Sequence, residues 1–332
     1  MINDVCGTAH ESNTTISRSI NKSPPITLKT VSTVHPTIFD LSQAPSHLPQ
    51  TITANASNCI GLIISHFHGE YFNTLIEVAT STVEAAGKKL LIVNGGNNAE
   101  QEEEAINQLV SCNVDAITLY TRSIASRRIA TLIDSLPVPL IVMNQKVASH
   151  PNHTIAFDHY QAAYGVVEKL IQLKHTNIAC IAGPEKSSTA STRLKGYHQA
   201  LIDHGIKNSF VVHGNFSIGS GYDATSQLLI ENPSISAIFA CNDSMARGAM
   251  RALAELHRPI PSSVSLYGFN DDPANEFSIP RLSSVALPID TMAKQTMQQA
   301  LNLANRVKTA PMPLLQGKLM DRESIDQYKK AI

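Results

Sequence analysis

The chain holds 332 residues, 43% of them hydrophobic and 16% charged, with 26 basic side chains against 27 acidic ones. At roughly 100–200 residues per domain this length suits two domains with a small appendage, and its low Gly, Pro and charge content argues against collagen-like, coiled-coil and disordered classes. A net charge of −1 leaves any contact with nucleic acid to a local patch, and no apolar run approaches the ~20 residues of a membrane span, nor do the first residues carry a signal-peptide core.

Residues 1–60 differ in composition from the rest. They hold 17 Ser or Thr, five Pro, three basic residues (Arg18, Lys22, Lys29) and three acidic ones. From Cys59 the pattern becomes regular. Short β-branched or apolar runs occur at Cys59–Ser65, Lys89–Asn94, Ala116–Leu119, Pro139–Asn144, Asn177–Ala182, Ala237–Ala240 and Ser263–Phe269. Between them the spacing predicts helices over Phe72–Ala86, Glu100–Ser111, Ser123–Ser135, Tyr160–Leu173, Thr192–His204, Gly221–Glu231 and Ser244–Leu256. Strands apolar on nearly every residue are buried on both faces, which means parallel sheets covered by helices. The expectation is an α/β fold of two doubly wound sheets, since single cores stop growing at ~250–300 residues.

In such sheets ligands bind beyond the carboxyl ends of the strands. Those ends are polar here: Ser65-His66-Phe67-His68, Asn94-Gly95-Gly96-Asn97, Asn144-Gln145, Gly183-Pro184-Glu185-Lys186, Cys241-Asn242-Asp243 and Phe269-Asn270-Asp271-Asp272. Each sugar hydroxyl both donates and accepts, and an apolar sugar face packs against a ring, so amides and carboxylates beside aromatics suit a polyhydroxylated ligand. Any single one of these residues also serves as a helix cap. Their recurrence is the signal.

Enzyme motifs are missing. No dinucleotide G-x-G-x-x-G, P-loop or G-x-S-x-G elbow occurs. His66, His68 and Glu70 could ligate a metal but lack a third well-placed partner, so no metal and no cofactor are expected. His150, His153 and His159 flank a Pro-Asn turn and read as solvated loop, and adjacent Asp271 and Asp272 should point apart. The five cysteines, Cys6, Cys59, Cys112, Cys180 and Cys241, form no CxxC pair, which fits a reducing cytoplasm.

Several segments, in order, resemble the LacI/GalR family of sugar-responsive transcription repressors: IGLII, EQEEEAINQLVSCNVDAI, STRLKGYHQALIDHGI, FACNDSMARGAMRAL, IPSSVSLYGFNDD, PRLSSVALPIDTMA and the closing LMDRES. Within that family HGEYF and the GKL near the end resemble the repressor of a β-glucoside operon. The resemblance implies a core similar to periplasmic sugar-binding proteins, with two lobes, three crossovers, homodimerisation and a sugar or glycoside in the cleft. It places one lobe over 59–158 and 289–318, the other over 159–288 and 319–332, and a small all-α helix-turn-helix head with its hinge over 1–58. Carried over singly, the family's cleft positions fall on Phe72, Asn144, Gln145, Asp158, Arg193, Asn242 and Asn270. Asp243 is a candidate cap for the helix after Asn242. Two positions depart from the family: Gln145 stands for an Arg and Asn270 for an Asp. Both changes remove charge, which suits a neutral ligand.

In the head, Ser12 N-caps a recognition helix beginning at Asn13. The resemblance places Asn13, Thr14 and Arg18 at the family's major-groove positions, and Ile52 where the family inserts a Leu into the minor groove. The signature is eroded elsewhere. His10 replaces the turn Gly, Pro36 falls in the third helix, and the hinge holds Pro49 and Gln50. Two readings stay open: a dimeric, cytoplasmic repressor whose operator DNA binding is controlled by the sugar, and a carbohydrate sensor that has lost its DNA role. An enzyme on the same fold ranks third.

Overall fold

A computed structural model describes residues 12–20, 57–65, 67, 69–96 and 98–329. The chain divides into two compact units, Met1–Ser57 and Asn58–Ile332. In the first, the described residues form helix α1 (Asn13–Ile20). Ser12 Oγ accepts a hydrogen bond from the Thr15 N–H at 3.2 Å, so the expected helix start is observed. Ile16 is fully buried, whereas Thr14 and Arg18 are exposed. His10, Pro36, Pro49, Gln50 and Ile52, on which the other expectations for the head rest, lie outside the described residues.

The second unit alternates strands and helices. In order come β1 (Cys59–Ile64), α2 (Glu70–Ala85), β2 (Lys89–Asn94), α3 (Ala99–Ser111), β3 (Ala116–Tyr120), α4 (Ser126–Ser135), β4 (Leu140–Met143) and β5 (Thr154–Ile155). There follow α5 (His159–Gln172), β6 (Ile178–Ala182), α6 (Ser188–Asp203), β7 (Phe210–His213), α7 (Ile218–Glu231), β8 (Ala237–Ala240), α8 (Asp243–Glu255) and β9 (Ser265–Tyr267). Short strands β10 (Ser284–Ala286) and β11 (Lys318–Met320) flank α9 (Ile289–Ala304).

Two parallel sheets result, ordered β2-β1-β3-β4-β5 and β7-β6-β8-β9, with β10 and β11 as an antiparallel pair. Strand burial follows position. Central β3, β4, β6 and β8 are buried at every residue, while edge strand β2 mixes exposed and half-buried positions. The chain runs between the sheets in three segments, after Ile155, after Ala286 and before Lys318. Two of these are tied together: the Asp158 N–H donates to Leu315 O, and the Leu315 N–H to Ala156 O. After the second passage α9 returns to the first sheet, packing beside α2 against β3, β4 and β5.

The second sheet is closed by the segment Asp321-Arg322-Glu323-Ser324. Tyr267 Oη donates to Asp321, Arg322 pairs with Asp271 at 2.6 Å, and Glu323 pairs with Arg281. Ser324 Oγ, fully buried, donates to Leu266 O and accepts from the Ser283 N–H. Helices α7 and α8 meet through glycine. A Cβ on Gly248 would run into the backbone of Ile218 and Tyr222, and one on Gly221 into the backbone of Met245. Gly248→Ala should therefore force the helices apart and cost about 1–3 kcal/mol. Urea unfolding should show a lowered midpoint with an unchanged m-value.

Candidate functional site

A cavity of about 530 Å³ opens between the two sheets, beyond the carboxyl ends of their strands. From the first sheet it is lined by Gly69–Phe72 at the start of α2, by Tyr120 at the end of β3 and by Arg122 just beyond it. These segments follow β1 and β3, between which the strand order reverses, the place where doubly wound sheets bind ligands. From the second sheet come Thr189 and Arg193 of α6, Asn215–Ser217 before α7, Asn242–Ser244 at the start of α8, and Asn270–Pro273 after β9. Ala286, Leu287, Ile289 and Asp290 of the second crossover complete it.

Four of the seven expected ligand residues thus share one cavity: Phe72, Arg193, Asn242 and Asn270. Phe72 is buried and forms an edge-to-face cluster with Tyr71 and Tyr120, ring centroids 5.1–5.8 Å apart. Arg193 is also buried; it stacks 3.9 Å above the Phe269 ring and donates to Cys241 O. Asn242, not Asp243, caps α8: its Oδ1 accepts from the Met245 N–H while its Nδ2 donates to Phe216 O. Asp243 is buried and turns the other way, accepting from Ser284 Oγ and the Asp272 N–H, and burial pushes its pKa up to about 6. Asn270 has φ 112°, a left-handed conformation that Asn tolerates better than most residues.

The other three lie outside the cavity lining. Asn144 is buried behind it, donating through Nδ2 to Tyr120 Oη at 3.1 Å and accepting at Oδ1 from His159 Nε2 at 2.8 Å. Gln145 joins the lobes: its Nε2 donates to Ile124 O and Ser126 Oγ, and its Oε1 accepts from Ser188 Oγ at 3.3 Å. Asp158 caps α5 by accepting from the Gln161 N–H. Asp271 and Asp272 do point apart, to Arg322 and Arg247 respectively.

Four residues escaped the sequence reading. Tyr71 and Arg122 line the cavity, and Glu102 fixes the loop that carries Arg122 by accepting from Thr121 Oγ1 and the Ile124 N–H. Desolvation raises the pKa of this buried carboxyl. The fourth is His159, expected in a solvated loop and found buried as the first residue of α5. Its Nδ1 faces Arg193 Nε and Nη2 at 3.4 Å each, so it accepts there and carries its proton on Nε2 toward Asn144. Burial, reinforced by the Arg193 cation, holds its pKa well below the ordinary imidazole value. A pattern was available: the residue after an N-cap opens a helix, and its side chain follows the helix inward or outward rather than the loop.

Two atoms in the wall are buried and have no hydrogen-bond partner, Tyr71 Oη and Asn270 Oδ1. One is a hydroxyl donor and the other a carbonyl acceptor, and a ligand hydroxyl would serve either. His66 and His68 lie outside the described residues, among which no group of three metal-ligating side chains occurs. No described helix is long and apolar enough to cross a membrane.

Residues 57–299 match the family model described as periplasmic binding proteins and sugar binding domain of LacI family. The chain is 31% identical over 326 residues to the HTH-type transcriptional regulator AscG of Escherichia coli K12, covering 97% of each. It is 31% identical over 314 residues to the regulator GalR of the same strain, covering 94% of this chain and 90% of that one. Among solved structures it is similar to the lac repressor dimer bound to operator and the anti-inducer ONPF, with a TM-score of 0.81, 25% identity and coverage of 98% and 99% of the two chains.

The neutral His159 gives the fold an acid sensitivity. Its folded pKa is depressed, so it adds no pH dependence above the unfolded value of about 6.5, and below it the unfolded chain takes up the proton first, costing up to ~1.4 kcal/mol per pH unit. Asp243, raised to about 6, opposes this by gaining stability as pH falls from about 6 towards its unfolded value near 4. His159→Gln keeps a neutral side chain and should remove the first slope alone, so the stability difference between variant and parent, measured by urea titration at pH 7.5 and about pH 5.5, should shift in the variant's favour at the lower pH.

Proposed function

The chain belongs to the LacI family of transcriptional regulators, and on that premise we propose a repressor whose grip on operator DNA is set by a sugar or glycoside held between its two lobes. One observation carries the effector half of this reading: a cavity at the strand-order reversal, lined by amides, carboxylates, guanidiniums and rings, with a donor and an acceptor left unpaired in its wall. Phe72 and Tyr71 offer an aromatic wall to the apolar face of the sugar. Arg193, Asn242 and Asn270 supply hydroxyl partners from the other lobe, so one ligand bridges both. The lobe limits near residues 158, 288 and 318 belong to the same reading.

The mechanism is a population shift. A ligand that touches both lobes favours the closed arrangement by its differential affinity for it. The altered lobe geometry, repeated in a homodimer, spreads the hinge segments so that two heads no longer fit two half-sites. In each head Ser12 caps α1, and exposed Thr14 and Arg18, with Asn13, are the side chains assigned to the major groove, while Ile52 is assigned to the minor groove. Nothing in this scheme calls for a catalytic step, and its place is the cytoplasm. A β-glucoside is the finer proposal for the effector.

Thermal-shift screening against sugars and glycosides should reveal the effector, a ligand at about 100 times its Kd adding about 2.7 kcal/mol. Arg193→Ala, if it retains a cooperative melt, should abolish that shift; a shift of full size would displace the effector site. On a palindromic operator, gel-shift titration should show binding that weakens steeply with salt from about 50 to 200 mM and is altered by the same effector. Absence of DNA binding at the low-salt end would favour the sensor without a DNA role.

A further inference from the structure

Two guanidinium groups line the cavity, and neither has a carboxylate within ion-pair distance among the described residues. Arg122 stands between rings from both lobes, 5.9 Å from the centroid of Tyr120 and 5.5 Å from that of Phe216. Arg193 is buried with only neutral partners, the His159 ring, Cys241 O and the Phe269 face. Of a guanidinium's five N–H donors, these bonds engage three and leave two. The two cations lie close enough to repel: burial lowers Arg193's pKa, Cys241, Tyr120 and Tyr71 oppose that, and Arg122 adds a smaller lowering. Buried charge is ordinarily paired, since desolvation without a counter-charge is costly.

The carboxylates of the wall do not supply that counter-charge. Asp271 is paired with Arg322 at 2.6 Å and Asp272 with Arg247 at 2.7 Å. Asp243 is spent on Ser284 Oγ and the Asp272 N–H. Glu70 and Asp290 are exposed, where water screens them. Gln145, whose neutrality suggested an uncharged ligand, is outside the lining altogether, and Asn270 places an amide in the wall rather than another carboxylate.

Resting on the sugar-effector reading, we propose that the effector is an anionic carbohydrate whose phosphate or carboxylate group sits between Arg122 and Arg193 and accepts a further hydrogen bond from Tyr71 Oη. Charge-assisted bonds to a planar fork are about twice as strong as neutral ones and favour such groups geometrically. Tyr71 Oη has only Tyr120 near it, with no hydrogen bond of good geometry, and burial, reinforced by Tyr120, raises its pKa and keeps it a donor. Arg122 is the residue that sets the preference, because ring contacts hold its cation and Glu102, which feels that charge and meets its backbone N–H, forms no ion pair with its guanidinium.

The test is calorimetric titration of the full chain with matched sets: methyl β-glucoside, salicin and cellobiose, each beside its 6-phosphate ester and its uronic acid. The anionic member of at least one set should bind about tenfold tighter or better, with a preference that shrinks as salt rises. A winning ester identifies phosphate and a winning uronate identifies carboxylate. Arg122→Gln should weaken the anion much more than the neutral parent, and Arg122→Lys should restore part of the difference; each variant is first checked for a cooperative melt. Neutral members that bind as tightly as their anions overturn this inference alone, as does a preference unchanged in Arg122→Gln. Failure of every member to bind overturns the sugar-effector reading and this inference with it.

Discussion

Arg193 carries a positive charge into a buried position at the wall of the cavity, and the residues around it are arranged to tolerate that charge. The Phe269 face, Cys241 O and the Nδ1 lone pair of His159 each present electron density to it. His159 can do so only as the neutral Nε2–H tautomer, which the acceptor Asn144 Oδ1 selects. Asn144 in turn donates to Tyr120, whose ring packs on Phe72 and Tyr71. A continuous polar chain therefore passes from the aromatic wall of one lobe, through the residue at which the first crossover ends, to the guanidinium of the other. In a low-dielectric interior such a chain specifies geometry because each broken member leaves its neighbours unpaired.

Much of the fold was legible because parallel central strands must be apolar on both faces. The runs at Cys59, Ala116, Asn177 and Ala237 became β1, β3, β6 and β8 within a residue or two of the expected limits. Short strands were not legible. β5 has two residues and β10 and β11 three each, too few for any period, and Phe210–His213 is a half-exposed edge strand without a continuous buried face. Helix α9 carries its apolar residues at helical spacing but is absent from the expected helices, since no strand signal brackets it; the family resemblance only assigned its segment to the first lobe.

The cavity was legible as a set of polar strand ends, and less so as individual contacts. Phe72, Arg193, Asn242 and Asn270 do meet. Asn144, Gln145 and Asp158 sit at comparable places in the sequence, yet their side chains are taken up by His159, Ser188 and the first turn of α5. Whether a strand-end amide faces ligand or protein depends on partners contributed by distant segments, and a linear pattern does not contain them. The same limit hid Arg122, whose significance comes from Phe216 lying opposite it.

Because α9 must come back to cover β3, β4 and β5, and 321–324 must come back to lock β9, neither lobe consists of contiguous chain. During synthesis the first sheet is complete at Ile155 but its cover begins only at Ile289. At ~5–20 residues per second an apolar sheet face then waits on the order of ten seconds for its helix. Production of this chain should therefore lean on ribosome-associated chaperones more heavily than its modest size suggests, and a faster translation rate through 156–288 would shorten the exposure.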